Sequence, residues 1–355
     1  MRNIVITGGA GFIGSNFIRY VLKIEPHIRI INLDSLTYAG SLDNLKNLPD
    51  PARYTFVKGD IRDQALVEDL LRNHRVDTIV HFAAESHVDR SILGPSPFID
   101  TNIYGTFSIL EAVLNVWLKE KIISPAQVRF HHVSTDEVYG SLEPTDPPFS
   151  ETTPYKPNSP YAASKAASDH LVRAYSHTYD LPVTITNCSN NYGPYQFPEK
   201  LIPLMITSAV RNLPLPVYGD GLQIRDWLYV QDHCEAIWLV LSRGKLGETY
   251  NIGGANQPTN LAIVETICKI LDDISPAKEA HASLIRFVKD RPGHDRRYAM
   301  NIHKIQNELG WKPQHSLEDG LRETITWYLE NSQWIDTIQS KSNYQEWVQE
   351  NYSKR

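Results

Sequence analysis

The chain has 355 residues, 41% hydrophobic and 21% charged, an ordinary globular composition with length for two domains or for one large core and an extension. A formal net charge of −6 argues against nucleic acid as the main partner, so an anionic substrate has to be met by local cations. Three scattered cysteines (Cys188, Cys234, Cys268) exclude a disulfide framework and a zinc site, and no apolar run reaches the roughly 20 residues of a membrane span, so a reducing cytoplasm is the expected home.

The first element, Ile4-Val5-Ile6-Thr7, reads as a short buried strand entering Gly8-Gly9-Ala10-Gly11-Phe12-Ile13-Gly14. Ser15 to Lys23 follows with helical spacing of Phe17, Ile18, Val21 and Leu22. No signal-peptide cleavage region follows this apolar start. Glycines at 8, 11 and 14 permit a tight turn, close approach of backbone to a pyrophosphate, and close helix–strand packing. Phosphates then sit on the helix N-terminus. A second strand (Ile28 to Leu33) ends at Asp34, twenty residues beyond Gly14. A carboxylate there accepts hydrogen bonds from the adenosine ribose and repels a 2′-phosphate, so NAD is expected rather than NADP.

The rhythm repeats. Tyr54 to Gly59 is a third strand, followed by Asp60, Ile61 and a helix through Leu66, Leu70 and Leu71, with Asp60 placed to meet an adenine. Asp77 to Phe82 is a fourth strand, ending in Ala83-Ala84-Glu85-Ser86, where small residues suit close passage of a cofactor. A long helix from about Ile99 to Lys119 carries Ile103, Phe107, Leu110, Val113, Leu114 and Trp117 on one broad apolar face. A fifth strand (Val128 to Val133) then runs into Ser134-Thr135-Asp136-Glu137. Ligands in open α/β sheets bind past the carboxyl ends of such strands. Adjacent carboxyls in a dry site do not both ionise readily, which provides an acid and a base side by side.

A polar, proline-rich loop (Glu143 to Pro160) is placed to lie over the site as a lid. Tyr161-Ala162-Ala163-Ser164-Lys165 opens a helix to about Tyr179, with Tyr161 and Lys165 four apart on one face. An ammonium beside the phenol is expected to lower its pKa from the ordinary ~10, making Tyr161 a proton acceptor for a sugar hydroxyl while Lys165 holds the nicotinamide ribose. After a further strand (Val183 to Asn187) the alternation weakens, and a smaller region begins. It holds an apolar helix (Leu201 to Val210), a strand (Thr249 to Ile252) and a helix (Leu261 to Leu271). Lys200, Arg225 and Arg291 fall in loops or element ends, where they can converge on a diphosphate. Tyr218 is suited either to stacking on a base or to shielding an apolar edge. The aromatic C-terminal tail (Trp334, Tyr344, Trp347, Tyr352) is expected to pack as helix. The fold expected is α/β, a Rossmann-type doubly wound parallel sheet over 1–190, with a smaller mixed α/β substrate region over 191–355 whose segments are free to return to the first.

These motifs together resemble the extended short-chain dehydrogenase/reductase family along nearly the whole chain. Thr7 to Gly14 and the Tyr161–Lys165 pair are similar to the family at large, nucleotide-sugar epimerases included. Ser134 to Gly140, Asn187 to Pro194 and Asp290 to Asp295 are similar to its 4,6-dehydratases. One departure is Ser35, where many relatives carry lysine. The resemblance implies an NAD-dependent hydro-lyase acting on dTDP-glucose, without a metal and without a membrane or nucleic-acid partner. Tyr161, helped by Thr135, would take the 4-hydroxyl proton, Glu137 the C5 proton, and Asp136 would protonate the departing 6-hydroxyl. It further implies that Phe12, Ile13, Ser35, Leu36, Thr37, Ile61, Phe82, Ser86, Thr101 and Asn191 attend the cofactor. Ser86, Thr135, Asn190, Lys200, Leu201, Pro216, Val217, Tyr218, Arg225, Asn260, Asp290, Arg291 and His294 would line the nucleotide-sugar site. A homodimer through the helices at about 99–119 and 161–179 is implied too, although their apolar faces equally suit a core. Three alternatives stand beside this reading, the first being another nucleotide-sugar 4,6-dehydratase. A 4-epimerase needs the cofactor and Tyr161–Lys165 but has no use for Asp136 and Glu137. A non-catalytic NAD sensor has no use for any of the four.

Overall fold

The computed structural model describes residues 1–341. Its centre is a seven-stranded sheet built from β1 (Asn3–Thr7), β2 (Arg29–Asp34), β3 (Tyr54–Lys58), β4 (Thr78–His81), β5 (Arg129–Thr135), β6 (Val183–Cys188) and, much later in the chain, Thr249–Ile252. Every pairing is parallel. From one edge the order is Thr249–Ile252, β6, β5, β4, β1, β2, β3, so the order reverses beside β1 and opens a crevice there. Every residue of β4 and β6 is buried, because helices cover both faces of the sheet.

On one face lies α1 (Phe12–Ile24); on the other lie α2 (Gln64–Asn73), then α3 (Val88–Leu93), and a continuous helical stretch from α4 (Ser96–Phe98) through α5 (Thr106–Val113) to Lys119. That stretch is π-helical over Ile99–Gly105 and Leu114–Lys119. The apolar stripe drawn from 3.6-residue spacing is buried at Leu110, Val113, Leu114 and Trp117 and half-buried at Ile103. Phe107 is 37% exposed, while Ala112 and Val116 are fully buried. The helix α6 (Pro160–Tyr179) completes this layer, started by Pro160 at its first turn and by the Ser159 hydroxyl, which accepts from the Ala162 amide at 3.1 Å.

The second region begins with β7 (Asn190–Tyr192), α7 (Leu201–Val210), β8 (Leu215–Tyr218) and β9 (Trp227–Tyr229). Next, α8 (Val230–Arg243) packs against α1, and β10 (Thr249–Ile252) extends the main sheet beside β6. The strand placed by sequence in the second region thus returns to the first. There follow α9 (Asn260–Ile274), β11 (Ile285–Val288), α10 (His303–Leu309), α11 (Leu317–Glu330) and α12 (Ser332–Lys341). Two parallel pairs, β7 with β9 and β8 with β11, escape sequence detection because they are only three or four residues long. Ile206, Ile267 and Ile325 anchor a separate apolar cluster under α7, α9 and α11.

The 143–160 loop is not a lid, because none of its residues lines the cavity described below. Phe149 is buried and its amide donates to Ala299 O at 2.8 Å, while Glu151 Oε1 accepts from the Asn251 amide at 2.9 Å. Those bonds tie the loop to the body of the protein. Of the aromatic tail, Trp334 packs on Trp327 and Tyr328, whereas Tyr344, Trp347 and Tyr352 lie outside the described residues.

Candidate active site

A cavity of about 740 Å³ runs along the carboxyl ends of β1, β2, β4, β5 and β6 and under the second region. That volume suits a dinucleotide or drug-sized ligand rather than a peptide. At one end is the glycine turn. Gly8 has φ +70° and approaches the Ala83 backbone so closely that a Cβ would meet it at 2.7 Å. At Gly14 a Cβ would strike the Gly8 carbonyl at 2.4 Å. No side chain caps α1 and no carboxylate occupies its first turn, so its amides are open to an anion. The Asp34 carboxylate sits at the end of β2, accepting from the Ala10 and Leu36 amides at 2.9 and 2.8 Å and keeping further lone pairs for a ligand. This end fits the adenosine and pyrophosphate of a dinucleotide.

Gly8, Gly11, Phe12, Ile13, Gly14, Ser35, Thr37, Ile61, Phe82, Ala83, Ala84, Ser86, Thr101 and Asn191 all line the cavity. Leu36 does not: its φ of 56° turns its amide to Asp34, and its side chain joins the core. Asp60 lines the cavity while paired with Arg62 at 2.7 Å.

In mid-cavity, β5 ends and Asp136–Tyr139 forms a single 3₁₀ turn. Thr135 Oγ1 accepts from the Glu137 amide at 3.3 Å and stands 3.4 Å from Asp136 Oδ1. Burial, then Glu137 and Asp226, push the Asp136 carboxyl well above the usual range. Burial also raises Glu137, but Arg291, Lys200 and Arg225 oppose the rise. Both carboxyls are thus raised, Asp136 furthest, and three cations temper the rise at Glu137.

Tyr161 and Lys165 line the same space, and here the expected electrostatics are corrected. Burial, with Glu137 next, drives the Tyr161 phenol well above its ordinary pKa. Lys165 Nζ donates to Val133 O at 2.9 Å, and burial lowers its pKa. Desolvation of both groups thus outweighs the ammonium–phenol attraction read from the helical spacing.

At the far end, Lys200, Leu201, Pro216, Val217, Tyr218, Arg225, Asn190, Asn260, Arg291 and His294 meet from separate elements. Arg225 stacks at 4.2 Å over the Tyr298 ring and donates to Asp295 O at 2.9 Å. Asp290 lies behind the wall, accepting from the Gln223 amide group at 2.9 Å and bonding His294 Nδ1 at 2.6 Å. Asp136 Oδ2, Asn190 Oδ1, Asn260 Oδ1 and Arg291 Nε are buried with no partner among the described residues, as expected of groups that await a polar ligand.

Sequence reasoning missed His87 and Glu199, which line the cavity, and Arg90 and Asn102, which stand outside its lining. Arg90 donates to Glu199 at 2.9 Å and stacks at 4.1 Å over Tyr38, and His87 stands 3.8 Å from the same carboxylate. Asn102 joins the Glu85 backbone to Ser164 on α6, at 2.8 Å from its hydroxyl. The polar run His87 to Arg90 after Ser86, and an asparagine interrupting an apolar helix, were the available signals.

With this geometry in place, the similarities to known proteins are specific. The family model for GDP-mannose 4,6 dehydratase matches residues 5–324. A dTDP-glucose 4,6-dehydratase of Shigella flexneri is 52% identical over 99% of each chain. One of Xanthomonas campestris pv. campestris (strain B100) is 56% identical over 95% of this chain and 96% of its own. The crystal structure of dTDP-glucose 4,6-dehydratase from Bacillus anthracis str. Ames in complex with NAD superposes with a TM-score of 0.84, at 48% identity, covering 95% of this chain and all of that one.

Proposed function

The chain belongs to the GDP-mannose 4,6 dehydratase family, and from that premise we propose that it dehydrates dTDP-glucose to dTDP-4-keto-6-deoxyglucose. The observation that carries this reading is the Asp136–Glu137 pair, buried at Asp136 and half-buried at Glu137, in one cavity with Thr135, Tyr161 and Lys165. A 4-epimerase has no use for that pair.

The glycine turn, Asp34, Tyr161 and Lys165 would hold NAD, which would supply a hydride acceptor and, once reduced, a hydride donor. The protein's own groups do the proton work. Tyr161, in contact with the Thr135 hydroxyl, takes the proton of the 4-hydroxyl. A ketone at C4 acidifies C5, and Glu137 removes that proton. Asp136 delivers its own to the departing 6-hydroxyl, completing the loss of water, and a proton returns to C5 as C6 is reduced to a methyl group. Lys200, Arg225 and Arg291 give local cations for the diphosphate despite the net charge of −6.

The reading extends to a soluble cytoplasmic homodimer. The homodimer is supported by Leu93, Ile99 and Tyr104, which are exposed; no helix among the described residues is long and apolar enough to cross a membrane.

Incubation with dTDP-glucose tests the reaction. A product lighter by one water with no net NADH is expected. Unchanged mass with galactose appearing would make the protein an epimerase instead, and NAD binding without any turnover would make it a sensor.

A further inference from the structure

One helical turn beyond Lys165, behind the cavity wall, the Asp169 carboxylate is completely buried. Its Oδ1 lies 3.1 Å from His132 Nε2, and its Oδ2 accepts from Ser134 Oγ at 2.9 Å and from the Tyr155 hydroxyl at 2.8 Å. Tyr155 is held in turn by Arg173 Nη2 at 2.8 Å and Asn187 Nδ2 at 3.1 Å. Burial pushes the Asp169 carboxyl up, but donation from His132, with Lys165 and Ser134 adding to it, outweighs burial and keeps it below its ordinary pKa.

Lys165 approaches the same ring from the other side. Its Nζ donates to Val133 O at 2.9 Å and stands 3.5 Å from His132 Nε2. Burial lowers the His132 pKa to about 4, so the imidazole is neutral near pH 7. A neutral ring with Nε2 against a carboxylate carries its proton on that nitrogen and donates it to Asp169. Cation and anion therefore flank one imidazole edge.

The other groups around the ammonium supply no competing charge. Tyr161 shares α6, His81 on β4 stacks on His132 at 5.3 Å, and the Cys188 thiol on β6 is pushed up to about 12 by burial. Arg173 lies beyond Tyr155, and the Asp136–Glu137 turn stands on the Tyr161 side. Asp169 is the carboxylate that raises Lys165 against its burial.

We propose that Asp169 is a positioning residue for the Tyr161–Lys165 pair: through His132 it is the buried counter-ion that keeps the Lys165 ammonium charged and fixed on the Val133 carbonyl. The idea rests on the proposed reaction, in which that ammonium supports Tyr161 as proton acceptor. An isolated buried ammonium sheds its proton units below its ordinary pKa, so the anion decides whether Lys165 is charged at working pH.

Two readouts on the holoenzyme separate the possibilities. The first is the pH dependence of kcat with dTDP-glucose for wild type, Asp169→Asn and Asp169→Glu. The second is the pH titration of the isotope-labelled Lys165 side-chain resonance, which needs no substrate. The expected result is an alkaline limb and a Lys165 titration about one pH unit or more lower in Asp169→Asn, restored by Asp169→Glu. A uniform loss of kcat with both midpoints unmoved would reduce Asp169 to a packing role and overturn the proposal. If Asp169→Asn does not fold, Asp169→Ser removes the same charge, leaves room for water, and is read the same way. Wild-type protein that fails to dehydrate dTDP-glucose would reject the proposed function, while the Lys165 titration would still decide the role of Asp169.

Discussion

Asp136 and Glu137 are neighbours in one turn, yet their surroundings differ by a pair of anions on one side and three cations on the other. Glu137→Gln should lower dehydration by about 10²–10⁴-fold, the usual worth of a positioned base, while bound NADH still forms on mixing with substrate. Near-normal elimination in that variant would move the C5 base elsewhere. Asp136 offers a test by stability. Its pKa is raised on folding, so the folded state binds that proton more tightly, and stability declines as pH climbs from the unfolded carboxyl range through the folded pKa. Asp136→Asn should flatten that decline in urea-unfolding midpoints measured from acid to neutral pH, and should also cost about 10²–10⁴-fold in turnover. An equally steep decline in both proteins would place its source in another group.

Among the elements, α6 carries the proton chemistry on one face, with Tyr161, Lys165 and Asp169 each four residues apart. Its entry is fixed by Ser159, and Ser159→Ala should cost about 1 kcal/mol of stability by denaturant titration. A longer-range contact supports the cofactor end. Trp334 of α12 donates to Asn44 Oδ1 at 2.9 Å, and Asn44 Nδ2 donates to the Ala10 carbonyl in the glycine turn, also at 2.9 Å. Trp334→Phe removes the first of these bonds and leaves an aromatic ring in place. NAD affinity by equilibrium dialysis should fall about fivefold, the equivalent of one net hydrogen bond of about 1 kcal/mol. Unchanged affinity would make the contact a matter of packing alone.

For the molecule as a whole, Tyr104 is 55% and Phe107 37% exposed, their rings 5.9 Å apart, and Leu93 is 70% exposed. This flank is apolar surface of the kind that closes against a second copy. Light scattering should report a dimer for wild type and a monomer for Phe107→Glu. A wild-type monomer would leave the flank without the proposed partner.

The glycine turn with Asp34, the Asp136–Glu137 turn and the Tyr161–Lys165 spacing could be read from the chain. Strand alternation, turn glycines and a four-residue helical repeat are set by neighbours a few residues apart, and much of the sheet follows from the same local pattern. The tertiary structure alone decided how β10 joins β6, that the 143–160 loop is tied down rather than free to close, and that Phe107 on the 99–119 helix stays exposed. It also decided the charge states: whether Lys165 raises or yields to its surroundings depends on His132 and Asp169, and Glu137 feels Arg225 and Arg291 from far along the chain. Desolvation depends on every group packed around a site, and side chains distant in sequence share that environment only once the fold has closed.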